Sequence, residues 1–158
     1  MKKSLKVGLG FGITSGVITP LGLLVGLYSG TGSRFAVIAG LLTIAIADSF
    51  SDSLGIHVSQ ELEKENAPKH VWEATLSTLF AKIGMALSFV IPFLFFSLRV
   101  AVLVDIVWGL GAISFFSYLV AKERGVKPAR VVFEHVVIAL LVVAITHYFP
   151  LLLGKFFV

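Results

Sequence analysis

No cysteine occurs in the 158 residues, so a disulfide framework and any thiolate metal site are excluded. Charge is scarce as well: 14% of residues are Asp, Glu, Lys or Arg, against roughly 25% in soluble domains. Two familiar metal-site patterns are missing, since neither His-x-x-His nor Glu-x-x-His appears, with or without a second histidine. A di-iron centre or a zinc hydrolase site therefore has no support. With no nucleophile–base pair either, an intramembrane enzyme is the least favoured class, and the chain is read as a non-enzyme. No basic stripe with interleaved aromatics is present, which argues against nucleic-acid binding despite a formal net charge of +4.

What is abundant is apolar surface. Hydrophobic residues make up 57% of the chain and the mean hydropathy is +0.98. A chain this short cannot bury so much apolar area in one water-facing domain, whereas a bilayer removes the need to bury it. Five apolar stretches follow one another, at about 7–28, 35–58, 74–98, 100–121 and 131–154. The first, at ~1.5 Å per residue, spans ~33 Å, enough to cross the hydrocarbon core. It is long for a signal sequence and has no small-residue cleavage pattern, so it is expected to be retained. The predicted fold class is an all-α membrane protein: one transmembrane domain over 1–158, a five-helix bundle, with a polar loop at 60–73.

Lys and Arg distribute unevenly between the two ends. Nine (Lys2, Lys3, Lys6, Lys64, Lys69, Lys122, Arg124, Lys127, Arg130) fall on one side and three (Arg34, Arg99, Lys155) on the other. Lys82, near the start of the third span, is left out of that count. The positive-inside rule then places the N-terminus and the 60–73 loop in the cytoplasm and the C-terminus on the opposite side. The excess of positive charge on that face suits anionic lipid heads.

Acids inside spans are costly and call for a reason. Asp48 and Asp52 are four residues apart and share a helix face, with Ser51, Gly55 and Ser59 expected beside them. Two carboxylates one turn apart can hold a divalent cation through oxygen. Without a cation they repel, and one tends to keep a proton. The pair is thus suited to exchanging metal for protons, a reading preferred over plain helix–helix hydrogen bonding. Asp105, a lone acid near the start of the fourth span, snorkels, pairs with Arg99, or has a functional role. Glu134 can pair with Arg130, four residues earlier. His57 and His70 are isolated potential ligands, and His147 is expected to be packed or hydrogen-bonded. Glu61, Glu63, Glu65 and Glu73 lie in or beside the 60–73 loop, next to the inner mouth of the second span, where they either collect cations or form ordinary Glu–Lys pairs. Pro20 removes a backbone hydrogen bond in the first span, and the freed carbonyls are expected to face protein or a water-lined path. Gly8 and Gly12, and Gly22 and Gly26, form two Gly-x-x-x-Gly pairs that permit close helix contact.

Ser15-Gly16-Val17-Ile18-Thr19-Pro20, followed by Gly22 and Gly26, resembles the first helix of the vacuolar iron transporter family, which reads Asp-Gly-x-x-Thr-Pro. Ala39-Gly40 and the run from Ala47 to Ser59 resemble that family's Ala-Gly-Ala-x-Ser-Met-Ala-x-Gly-Glu-Tyr-x-Ser, and Ile91-Pro92 falls where the family has Ile-Pro. The resemblance extends over nearly the whole chain, with most of its specificity in the first two helices. It implies a homodimer with an ion path between subunits that exports Fe²⁺ or Mn²⁺ from the cytosol in exchange for protons, with no resident cofactor. Position by position, Ser15 stands at the family's Asp, Asp52 at its Met, Ile56 at its Glu and His57 at its Tyr, while Thr19, Pro20, Ser51, Gly55 and Ser59 fit. Loss of the thioether shifts preference toward harder ions such as Mn²⁺, Ca²⁺ or Mg²⁺. The family's cytoplasmic metal-binding domain is largely missing. The metal-ligand set expected on this basis is Asp48, Asp52, Ser15 and Thr19, with Glu61, Glu65 and Glu73 gathering cations at the inner mouth. Dimerisation is expected through the Gly-rich first helix. The alternatives are a non-transporting partner or assembly module and a transporter of another cation.

Overall fold

Apolar runs of this length satisfy their backbone N–H and C=O groups in lipid only as helices or closed barrels. The computed structural model, which describes residues 2–157, is helical almost throughout. Its elements are α1 (Lys3–Thr31), α2 (Arg34–Leu62), α3 (Pro68–Ser88), α4 (Ile91–Phe95), α5 (Leu98–Glu123) and α6 (Pro128–Phe157), with no strand among the described residues. Taking α3 and α4 together, five helical segments are long and apolar enough to cross a membrane. The chain is accordingly an all-α, multi-pass membrane protein.

Two of the expected boundaries shift. The polar connection shrinks from 60–73 to five residues, 63–67, because α2 runs on to Leu62 and α3 starts at Pro68. Proline is well placed there, since the first helical N–H has no partner to lose. The third span, expected to be continuous, breaks after Ser88. Phe89 and Val90 close tight turns on Ala86 and Leu87, and Pro92 restarts the helix as α4. Proline cannot donate the hydrogen bond that would carry α3 through. Pro20, by contrast, does not break α1, which continues from Lys3 to Thr31. At the tip between α1 and α2, Gly32 adopts φ 59° and its N–H bonds the Tyr28 carbonyl, a left-handed cap that glycine enters without penalty. Ser33 then caps α2, accepting from Ala36 N at 3.2 Å.

Helix α1 lies at the centre, against α2, α3, α5 and α6. Its glycines make that possible. A Cβ on Gly12 would come within 2.7 Å of the Thr78 carbonyl oxygen, and one on Gly16 within 2.9 Å of Met85 Cβ, both on α3. On another face, a Cβ at Gly22 would meet Val142 at 2.8 Å and one at Gly30 would meet Pro150 at 3.0 Å, both on α6. The close packing expected to join two copies is therefore spent inside one chain. The core sits around Val17, Leu21, Leu24, Leu41, Phe89 and Phe93. Large apolar residues also cover the outside, among them Phe35, Ile46, Phe50, Phe133 and Ile145. An outer surface of that kind is matched to a bilayer.

Candidate functional site

The geometry around the Asp pair is dominated by a residue outside the expected set. Lys82 on α3 is 1% exposed and reaches across to α2. Its Nζ lies 2.5 Å from Asp48 Oδ2 and donates to Asp52 Oδ2. Asp48 Oδ2 has no hydrogen bond beyond that ion pair. From α1, Ser15 Oγ donates to the same Asp52 oxygen at 2.6 Å. Three helices thus meet at one carboxylate. The acids keep 30% and 22% of their side-chain surface exposed, so the cluster is sealed on the lysine side and open on the acid side.

Local sequence explains the placement. The buried positions of α3 are Val71, Ala74, Thr75, Thr78, Lys82 and Ala86, spaced three and four apart as one helix stripe. Lys82 occupies a position on that stripe that would ordinarily be apolar. A charge at membrane depth costs about 3 kcal/mol on insertion scales, and a pair of carboxylates within reach offsets it. Two acids against one ammonium leave the cluster with a formal charge of −1 while both acids are ionised.

The remaining expected residues divide. Thr19 lies away from the cluster and lines an apolar groove between α1 and α6, with Gly22, Gly26 and Thr146. Four residues advance a helix by about 40° beyond one turn, enough to turn Thr19 away from α2 and toward α6. Ser51 faces a groove with Phe50, Leu54 and Trp72, Gly55 borders open space, and Ser59 is exposed. The serines buried on α2 are instead Ser49 and Ser53. Ser53 donates to the Phe50 carbonyl, while Ser49 Oγ has no partner.

The acids at the N-terminal end do not form one cluster. Glu73 accepts from Lys2 Nζ and Ser4 Oγ, each at 2.7 Å. Lys3 lies 4.0 Å from Glu63, and Lys6 pairs with Glu123 at the end of α5. Glu65 is exposed and makes no ion pair among the described residues. Glu61 Oε1 is 3.4 Å from His57 Nε2 and borders a polar pocket of about 360 Å³ with Asn66 and Trp72. Thr75 spends its hydroxyl proton on the Val71 carbonyl, so at the 2.9 Å contact with His57 Nδ1 the ring nitrogen is the donor. Nε2 then meets Glu61 favourably only when it also carries a proton. No group of three His, Cys, Asp or Glu side chains is arranged to hold a metal ion among the described residues.

Three further polar groups are placed. Arg130 donates to Glu134 at 2.9 Å, as expected. His147 Nδ1 lies 2.7 Å from Ser29 Oγ, fulfilling the expectation of a hydrogen-bonded histidine. Asp105 neither snorkels nor pairs with Arg99: it is 0% exposed and neither carboxylate oxygen has a hydrogen-bond partner. Compared with known proteins, the sequence matches no family model and no curated protein.

Proposed function

We propose that the protein is a proton-coupled cation transporter whose exchange site is Asp48, Asp52, Lys82 and Ser15. The observation that carries this reading is the buried ammonium of Lys82, ion-paired to two carboxylates that are themselves partly open. Lys82 occupies the cation position that the Asp pair creates. An incoming divalent cation competes for the same oxygens, and two cations do not share so small a space at low dielectric. The ammonium then swings away or gives up its proton, and the second route couples metal entry to proton release. Ser15 Oγ, already on Asp52, is a neutral oxygen donor suited to hard ions. The resemblance to the vacuolar iron transporters supplies the cargo class, Fe²⁺ or Mn²⁺, and the direction, out of the cytosol. A homodimer, also implied by that resemblance, would use a face other than the glycine stripes of α1.

The test is metal uptake into proteoliposomes containing a pH dye and a metal-sensitive dye, with Fe²⁺, Mn²⁺, Ca²⁺ and Mg²⁺ in turn. Coupled metal and proton signals are expected, and Asp48→Asn and Asp52→Asn should each lose at least tenfold in rate while remaining folded. Full activity in both variants would sink the assignment. A second reading is a non-transporting membrane module, favoured by one fact: Lys82 offsets the acids and ties α2 to α3 as a structural pin. On that reading all four ions give silence from folded protein, and Asp48→Ser changes stability alone.

A further inference from the structure

Asp105 has no place in the exchange site just described. It belongs to α5, on the stripe Ala101, Val102, Asp105, Gly109 and Ile113 that faces the core. Its surroundings are apolar: one turn further on, a Cβ at Gly109 would meet Leu21 at 3.2 Å and Phe89 at 3.3 Å. A carboxyl kept in such a place with both oxygens unpartnered is expensive as an anion and cheaper as an acid. Nothing in the packing uses it.

Two turns back along α5, beyond buried Ala101 and Val102, a cavity of about 570 Å³ lies at the end of the bundle opposite the N-terminus, bordered by Tyr28, Ser29, Leu98, Arg99 and His147. Leu98 and Asp105 are seven residues apart on one helix, two turns, so they share a face at a separation of about 10 Å. The titratable or charged groups on the elements packed against α5 near that level are few. They are Tyr28 on α1, His147 and Tyr148 on α6, with Arg99 on α5 itself and none on α4. None hydrogen-bonds Asp105. On the other side, the buried side chains of Leu21 and Phe89, both beside Gly109, separate Asp105 from Ser15 and Lys82, about 15 Å away along the bundle axis.

We propose that Asp105 is a second protonatable site, loaded through the cavity at Arg99 and His147, which gives the outer half of the protein its own proton station. The ligand is a proton rather than a metal ion because a divalent cation there would meet one carboxylate, no second oxygen ligand, and the Arg99 charge at the entrance. The step is a proton relay: hydronium reaching Asp105 from the cavity along the Leu98–Asp105 face protonates a carboxylate oxygen and leaves neutral water, and the same proton later returns or moves inward past Leu21 and Phe89. This rests on the exchange reading only for the inward leg.

The test follows the infrared carbonyl stretch of the protonated carboxyl in the full chain reconstituted in lipid, during a switch from H₂O to D₂O. A band absent from Asp105→Asn, and shifting within minutes of the switch, is expected. Ser29→Leu and Leu151→Trp each narrow the cavity, from α1 and α6, and should slow that shift at least tenfold. Whichever variant stays helical and monodisperse decides the point. No Asp105 band, a band that shifts only over hours, or a rate unchanged in a folded cavity variant would overturn the proposal. In proteoliposomes that exchange metal for protons, Asp105→Asn should lower the proton flux at least tenfold while leaving metal binding intact, and an unchanged flux counts against the station. Wild-type protein that moves no metal removes the exchange reading, yet the infrared arm still decides whether cavity water reaches Asp105.

Discussion

Lys82 is the residue on which the candidate site turns, and the apolar pattern of the sequence conceals its depth. The third apolar stretch begins at Ala74 by sequence, which puts Lys82 near a membrane boundary, where lysines are ordinary. The helix begins at Pro68 instead, so Lys82 is fourteen residues in, about 21 Å along the axis. Its partners were legible because two acids four apart in an apolar run share a face whatever surrounds them. The lysine was not, because helix register between α2 and α3 is a property of packing. The pairing has an energetic consequence. Lys82→Met would leave two carboxylates uncompensated, and breaking such a pair typically costs 3–5 kcal/mol. With the acids partly exposed, a loss of about 2 kcal/mol is expected, read as a lower midpoint of unfolding in detergent–denaturant mixtures. Adding Asp52→Asn to Lys82→Met should recover part of that loss, since it removes one of the stranded charges. Additive losses in the double variant would show that the three side chains do not act as a unit.

At the scale of elements, α1 does two jobs with two glycine stripes. Gly8, Gly12 and Gly16 admit α3, and Gly22, Gly26 and Gly30 admit α6. The motif was visible in the sequence, but not its addressee: small residues announce close approach and are silent on whether the approaching helix belongs to the same chain. The α1–α3 seam also sets the site, because Ser15 neighbours the stripe that seats Lys82. Gly12→Ala would drive a methyl group toward the Thr78 carbonyl, which cannot yield as a side chain can, so α3 must shift. The expected outcome is about 2 kcal/mol of destabilisation together with loss of the Ser15–Asp52 contact. Gly10, with open space where its Cβ would go, is the control, and Gly10→Ala should be neutral or stabilise by up to about 1 kcal/mol. Equal thermal stability of Gly12→Ala and wild type would show that the seam is looser than these distances imply. The break between α3 and α4 lay beyond periodicity alone. Pro92 belongs to a sequence motif, yet whether a proline bends, breaks or is absorbed depends on what the freed carbonyls meet, as unbroken α1 around Pro20 demonstrates.

For the molecule as a whole, composition points to a bilayer and the succession of apolar stretches to five crossings, and the helices follow in the expected order. Orientation is a separate matter, because a bundle reads the same from either side and only charge bias distinguishes its ends. Lys2, Lys3 and Lys6 are tied to Glu73, Glu63 and Glu123 at the N-terminal end, which lowers the local net charge that the positive-inside rule counts only on the basic side. The absence of native cysteine makes the orientation directly measurable, since any introduced thiol is the only one present. Glu65→Cys sits in the exposed connection between α2 and α3, and Ser33→Cys at the tip between α1 and α2, at opposite ends of the bundle. In intact cells a membrane-impermeant maleimide should label Ser33→Cys, and label Glu65→Cys only after permeabilisation. The reverse pattern would invert the molecule. The cavity at Arg99 and His147 would then face the cytoplasm, the acidic pocket at His57 and Glu61 would face outward, and the exchange site would have to be read as an importer with the same residues and the opposite flow.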